Sequence, residues 1–346
     1  MKGIAEYSEG YVRMLERVRS EFAFDAIVAW GTNGIVRTYA RANGVLPLFA
    51  ELGPIRQPFI ATGVIDSLGV NGDSRIAVGD FAWDRVPDTV PPLLHANLRS
   101  ERWESAPKPS HPESYVLVPL QTADDANILV HNEGKSYEAE IVEAVARISA
   151  TGVTCVVKTH PGARHLPFNA LAQARLVETL LQIPRVVVLD RALEGAAYAR
   201  LLLDASAVAT FNSSLGFEAS LLGTPTHVMA RAGYAPPGVF AGFEEIANGM
   251  PRDTPWLARM AHLHALLTQR YLLDLDDVFD FPVLHDVACF WKDTERRTLT
   301  PPMSGPGQSR PLLRLINALL SRRWGVTPES GSERCSPLGI RLEGPS

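Results

Sequence analysis

Three short polar stretches carry residue types that can act together in group transfer from a phosphate-bearing, nucleotide-linked donor. In Gln121-Thr-Ala-Asp124-Asp125-Ala-Asn127 there are two carboxylates. Adjacent acids diverge in extended or helical backbone, so one can face a cleft while the other caps the next turn; a solvated loop with an Asx turn is the plain alternative. In Lys158-Thr-His160-Pro161 a cation and a titratable donor stand two apart, hence on one side of an extended chain, before Pro161 ends it. His160 can serve a departing phosphate as donor or general acid. A surface lysine and a backbone-bonded histidine would leave the same pattern. Asn212-Ser213-Ser214 closes an apolar stretch and opens a Leu/Ala-rich run. Serines there cap a helix, and the free N–H groups behind them can hold a phosphate without a metal; a simple serine N-cap is the competing reading. Glu218 falls on that helix, where it can tie to a neighbouring loop or to a ribose hydroxyl.

The elements that must position these stretches alternate. YVLVPLQ (115–121), VTCVVKTHP (153–161), RVVVLD (185–190), AVATF (207–211) and THVM (226–229) read as strands. Between them KSYEAEIVEAVARISATG (135–152), ALAQARLVETLLQI (170–183), EGAAYARLLLDA (194–205) and LGFEASLLG (215–223) read as helices. Near-continuous Val, Leu and Ala strands between helices predict a parallel sheet covered on both faces. In such a sheet ligands bind outside the carboxyl ends of the strands, which is where all three polar stretches fall. Ahead of this lies a helix at about 7–22 and then one βαβ unit: strand 25–30, turn GTNG, helix 35–44 closed by Gly44, strand 45–51. Residues 52–110 read as irregular. The expected division is a Rossmann-like first domain over 1–110, a Rossmann-like second domain over 111–299, and a remainder over 300–346, with the linker near 105–114.

Composition narrows the class. At 346 residues, 46% hydrophobic and 21% charged, the chain can bury two ordinary cores, and most of it is not disordered. A formal net charge of −5 argues against a general nucleic-acid binder. Cys155, Cys289 and Cys335 share no CxxC spacing, so neither a zinc site nor a disulfide framework is indicated and a reducing compartment is the simpler home. The first residues lack the apolar centre of a signal peptide, and there is no run of 18 apolar residues; a cytoplasmic protein is expected. Segment 310–325 carries Arg310, Arg314, Arg322 and Arg323, no acid, and a stripe of Leu312, Leu313, Ile316, Leu319 and Leu320. It suits either docking on its own protein or peripheral binding to an anionic inner-membrane surface. Walker A, GxGxxG, GxSxG and HExxH motifs are missing from the sequence, which weakens kinase, dehydrogenase, hydrolase and metalloprotease readings.

Taken in order, PLQTADDANI (119–128), KTHP (158–161) and FNSSLGFEASLLGTP (211–225) resemble the capsule polysaccharide biosynthesis family, and more narrowly its bacterial β-Kdo transferases. The resemblance runs over roughly residues 25–230 and is weaker in the first domain. It implies two Rossmann-like halves in a GT-B-like architecture, with CMP-Kdo as donor on the second half and a glycolipid or polysaccharide as acceptor. It implies that His160, Pro161, Ser213 and Ser214 hold the cytidine monophosphate, with Lys158 beside them. The aspartate of the Gln121-containing motif matches Asp125, with Asp124 as second choice, and acts in that family as a nucleophile that takes the sugar before passing it on with retention. Glu51 is the candidate acceptor-side base and Arg56 a candidate for the sugar carboxylate, although ELGPIRQPF departs from the Glu-Asp-Gly form of some members. No cofactor or metal is required by these residues. CMP-sialic acid or a UDP-sugar as donor, and a non-catalytic assembly protein, are the alternatives.

Overall fold

The computed structural model describes residues 2–56, 61–80, 112, 114–190, 193, 195–249, 260, 263–264 and 266–293. Segment 310–325, Cys335 and the remainder from 300 lie outside these residues, as does nearly all of the expected linker at 105–114.

Helix α1 (Lys2–Glu21) leads into strand β1 (Ala26–Trp30), helix α2 (Gly34–Asn43) and strand β2 (Leu46–Leu52). Asn33 starts α2 because its side-chain oxygen accepts the Ile35 and Val36 N–H groups at 2.9 and 3.1 Å, and Gly44 ends it at φ 63°, a left-handed conformation that glycine adopts at little cost. β1 and β2 are parallel, in register Val28 to Leu48. The expected irregular stretch then contains strand β3 (Thr62–Asp66), antiparallel to β2, and the short helix α3 (Arg75–Val78).

The second unit runs β4 (Tyr115–Pro119), α4 (Ala126–Val130), α5 (Tyr137–Ala150), β5 (Thr154–Lys158), α6 (Pro167–Leu180), β6 (Val186–Leu189), α7 (Gly195–Asp204), β7 (Ala207–Thr210), α8 (Leu215–Leu221), β8 (Thr226–Val228) and α9 (Phe243–Ala247). Its five strands are parallel in the order β6-β5-β4-β7-β8, a doubly wound sheet. All five residues of β4 are buried, as a sheet covered on both faces demands. Tyr115 shows how a polar tip is accommodated there: its hydroxyl donates to the Leu201 carbonyl of α7 at 2.6 Å.

The chain then returns. Strand β9 (Leu273–Asp274) pairs antiparallel with β3, giving a mixed first sheet in the order β1-β2-β3-β9, and helix α10 (Phe281–Asp293) packs on its outer face. Leu48, Ala50 and Ile65 on that face meet Val278, Val287 and Trp291. Grouping 111–299 as one domain therefore needs correction, because residues 273–293 complete the first unit, whose outer apolar face would otherwise be open to water. The opposite face of β2 and β3, with Phe49 and Val64, joins the main core shared with the second unit. The fold is thus α/β, with two units facing one cleft in a GT-B-like manner. Where the units touch, the Ser74 hydroxyl donates to the Gly233 carbonyl at 3.1 Å, and a Cβ on Gly233 would lie 3.1 Å from the Asn71 backbone, a contact only glycine allows without displacement. Among the described residues no helix is long and apolar enough to cross a membrane.

Candidate functional site

β5, β4 and β7 are neighbours, and the chain winds outward in opposite directions from β4 and β7, so the loops that follow them open a crevice. Two side-chain amides knot these loops together. Gln121 Nε2 donates to Asn212 Oδ1 at 2.9 Å and to Asp125 Oδ2 at 3.0 Å. Asn212 Nδ2 donates to the Asn127 and Arg231 carbonyls at 2.9 and 3.3 Å, and the Asn212 N–H donates to Gln121 Oε1 at 3.3 Å. Both amides are buried, so each bond is made out of reach of bulk water and a lost one leaves an orphan.

The knot distinguishes the two candidate acids. Asp125 caps α4 through Oδ1, which accepts the Asn127 N–H at 2.8 Å, while Oδ2 is held by Gln121. Each oxygen keeps a lone pair, so the carboxylate is oriented without being used up. Asp124 lies outside, on the surface, where its carboxylate accepts the Asn169 amide at 2.8 Å. The Thr122 hydroxyl, then Asn169, hold it below the usual carboxylate range.

His160 is half-buried at the end of β5, with Pro161 opening a short 3₁₀ turn behind it. Its Nδ1 accepts the Gly162 N–H at 3.1 Å, which in a neutral ring leaves the proton on Nε2. Burial lowers its pKa, against an opposing pull from the Asp125 carboxylate. The ring is therefore a neutral donor near neutral pH. Lys158 does not join it as a paired clamp. Its ammonium is buried and donates to the Thr159 carbonyl at 2.8 Å; burial lowers its pKa, while Asp190, the end residue of the β6 side, raises it. Asp190 in turn accepts Thr159 Oγ1 at 2.7 Å and pairs with Arg164 at 3.0 Å, which draws the cationic group toward β6.

The serine corner divides its labour. Ser213 Oγ accepts the Leu215 N–H at 3.4 Å, and its carbonyl accepts the Tyr234 hydroxyl at 2.6 Å. Ser214 occupies the N-cap position in a helical conformation, and its hydroxyl makes no capping bond. The expectation that both serines cap the helix is corrected, because the turn at Ser214 is already helical and its side chain is directed elsewhere. Ser214 lines a solvent-open cavity of about 440 Å³ between the units, together with Asn212, Asn127, Asn71, Tyr234 and Arg56. Arg56 is its only charged lining residue among those described.

Glu218 sits behind this wall, fully buried. Its Oε1 accepts the Arg56 backbone N–H at 2.8 Å, across the two units, and its Oε2 accepts the Tyr198 hydroxyl at 2.5 Å. Both oxygens are engaged by protein, so of the two expected roles the tie to a neighbouring loop is the one made. Burial raises its pKa to about 7 against the pull of Tyr198 and Arg56. Glu51 stands opposite Val64 on the cleft-facing side of β2, but its carboxylate accepts the Leu52 N–H at 2.8 Å and it does not line the cavity. Asn71, Ser74, Tyr234 and Tyr271 line the cavity without any expectation from the sequence; an Asn-Gly pair at 71–72 is the one local signal that could have pointed to a turn there. Among the described residues no group of three or more His, Cys, Asp and Glu side chains could hold a metal ion.

Comparison with known proteins adds the following. The family model described as "Capsule polysaccharide biosynthesis protein" matches residues 95–269, half of the chain. No curated protein matches. Two solved structures from Thermosulfurimonas dismutans are similar: KpsC, beta Kdo 2,7 transferase (17% identity, 77% of this chain and 83% of that one, TM-score 0.48), and KpsC, beta Kdo 2,4 transferase (18%, 76% and 87%, 0.42). A UDP-GlcNAc 2-epimerase from Methanocaldococcus jannaschii is more distant (13%, 63% and 64%, 0.30).

Proposed function

Because this chain belongs to the capsule polysaccharide biosynthesis protein family, we propose that it is a retaining glycosyltransferase that moves Kdo from CMP-Kdo to a glycolipid or polysaccharide acceptor. What supports the reading is the knot of Gln121, Asn212 and Asp125, which fixes one carboxylate at the same sheet edge as His160, whose Nδ1 already accepts a backbone N–H.

In the proposed first step an Asp125 oxygen attacks the anomeric carbon of the sugar. The bond from that carbon to the CMP phosphate oxygen breaks, and CMP leaves with the electron pair. His160 Nε2–H and the uncommitted Ser214 hydroxyl donate to the departing phosphate, while Lys158 adds positive charge from behind the wall. In the second step an acceptor hydroxyl attacks the same carbon from the vacated face. Its proton passes to a base, the role assigned to Glu51 on the cleft-facing side of β2, just outside the cavity lining, once its carboxylate gives up the Leu52 N–H, and the aspartyl–sugar bond breaks to restore the Asp125 carboxylate. Two inversions give retention. Arg56 receives the sugar's own carboxylate.

The test is transfer itself. The protein is incubated with CMP-Kdo generated in place and with Kdo-bearing glycolipid and polysaccharide acceptors, and products are read by mass spectrometry. Acceptors heavier by one Kdo are expected. CMP binding with no turnover on any of these acceptors would overturn the reading, and turnover of a UDP-sugar instead would move the donor assignment.

A further inference from the structure

The segment that delivers Arg56 to the cavity is clamped up to the residue before it. The Gly53 N–H donates to the Thr62 carbonyl at 2.7 Å, the Thr62 N–H donates to the Ile55 carbonyl at 3.1 Å, and Thr62 Oγ1 donates to the same carbonyl at 2.8 Å while accepting the Ile55 N–H at 3.3 Å. A Cβ on Gly53 would fall 2.3 Å from Thr62 Oγ1, so the clamp closes only around glycine. Ile55 is fully buried. Arg56 is the first residue beyond this clamp, and its N–H is taken by Glu218 of the other unit. Its side chain folds back so that Nε donates to the Gly53 carbonyl at 3.3 Å, which leaves the far end of the guanidinium without a bond among the described residues.

Glu218 is an unusual residue to find there. It is buried in a helix of seven residues, all of them buried, and a buried carboxylate costs stability unless its oxygens are satisfied. Here they are satisfied by one bond inside the second unit, to Tyr198, and one bond to the main chain of the first. The titratable and charged groups acting on Glu218 are Tyr198, Tyr234 and Arg56. None of them replaces the bond to the first unit.

We propose that Glu218 is a positioning residue: by holding the Arg56 main chain across the cleft it sets the guanidinium as the cavity's receptor for the carboxylate of an acidic sugar. This rests on the reading of the cavity as the donor site. It adds that selection for an acidic sugar depends on a residue that never touches it, and that the receptor is assembled only while the two units are latched.

The experiment uses the full chain labelled with ¹⁵N-arginine, the Arg56 signals being identified by their loss in Arg56→Lys. Three readouts are followed in wild type, Glu218→Ala and Glu218→Gln: exchange of the Arg56 amide, the shift of its Nε–H on titration with free Kdo, and the KM and kcat for CMP-Kdo. Loss of one hydrogen bond to a carboxylate is expected to speed Arg56 amide exchange about tenfold or more in Glu218→Ala. The Nε–H response to Kdo is lost and KM rises about tenfold, while the affinity for CMP alone stays within about twofold. Glu218→Gln, which keeps an acceptor for the Arg56 N–H, restores most of each. Unchanged exchange in Glu218→Ala overturns the latch. Faster exchange with unchanged KM, or no Nε–H response to Kdo in wild type, overturns the receptor role. If wild type does not turn over CMP-Kdo but the Nε–H response is present and depends on Glu218, the latch stands and the donor assignment falls. Should Glu218→Ala not fold, Tyr198→Phe removes the other anchor of the carboxyl and is expected to give intermediate exchange; wild-type exchange there and in Glu218→Gln, with unchanged KM, overturns the proposal.

Discussion

Replacing Asn212 tests whether the crevice is held by the amide knot. In Asn212→Ala three groups lose a partner: the buried Gln121 Nε2 keeps only Asp125, and the part-buried Asn127 and Arg231 carbonyls lose the Asn212 amide. An orphaned buried polar group costs about 1–3 kcal/mol, and water entering the space left by the side chain reduces the sum, so a loss of about 2–4 kcal/mol is expected. Converted at about 2–4 °C per kcal/mol, the midpoint falls by roughly 4–16 °C. Asn212→Asp makes the sharper comparison. It keeps the shape and the acceptor for Gln121, but replaces the amide donor by a carboxylate oxygen facing two carbonyls. At neutral pH it is expected to be at least as destabilising as alanine. Thermal unfolding followed by circular dichroism at pH 7 reads both. An Asn212→Asp midpoint within about 1 °C of wild type would refute the knot as drawn.

Other predictions rest on single contacts. Tyr115→Phe removes the buried hydroxyl bond to the Leu201 carbonyl, which is expected to lower stability by about 0.5–1.5 kcal/mol in urea titration. Ser214→Ala gives up no capping bond, so its unfolding midpoint stays within about 1 °C of wild type, whereas CMP affinity in calorimetry falls about three- to tenfold. Glu218 titrates higher in the fold than its ordinary value, about 7 against 4.5, so its stabilising contribution is fully present below pH 4.5 and is lost as pH rises through 7. Glu218→Gln is therefore expected to flatten the fall in stability between pH 5 and 8 seen in wild type, by up to about 3 kcal/mol, with denaturant midpoints as the measure; an unaltered pH profile would contradict the burial cost assigned to this carboxyl.

The second sheet was legible because its strands are short runs of Val, Leu, Ala and Cys between helices with clear apolar faces, and nothing in the tertiary structure overrides that pattern. β3 was not, since TGVID reads as a loop: Gly63 is there because Val278 packs where a Cβ would be, and Asp66 is buried because Leu68, Arg75 and Tyr271 all donate to it. The last of these lies 205 residues away, beyond any local signal. β9 spans two residues and carries no periodicity, so the return of the chain to the first sheet had no mark in the sequence. In the site, the convergence of the three polar loops follows from strand order, and Gln121 bonds the carboxylate of Asp125 while that of Asp124 is bonded by Asn169. What spacing alone could not supply were side-chain directions set from far off: Lys158 drawn toward Asp190, and Glu218 joined to the main chain of Arg56.

The central claim is that Asp125 takes the sugar from CMP, and intact-mass measurement of the protein tests it most directly. Wild type mixed with CMP-Kdo generated in place, without acceptor, is expected to gain the mass of one Kdo residue, with the adduct absent in Asp125→Ala and consumed when acceptor is added. An adduct that persists in Asp125→Ala, or product formed by wild type with inverted anomeric configuration and no adduct at any time, would contradict the account.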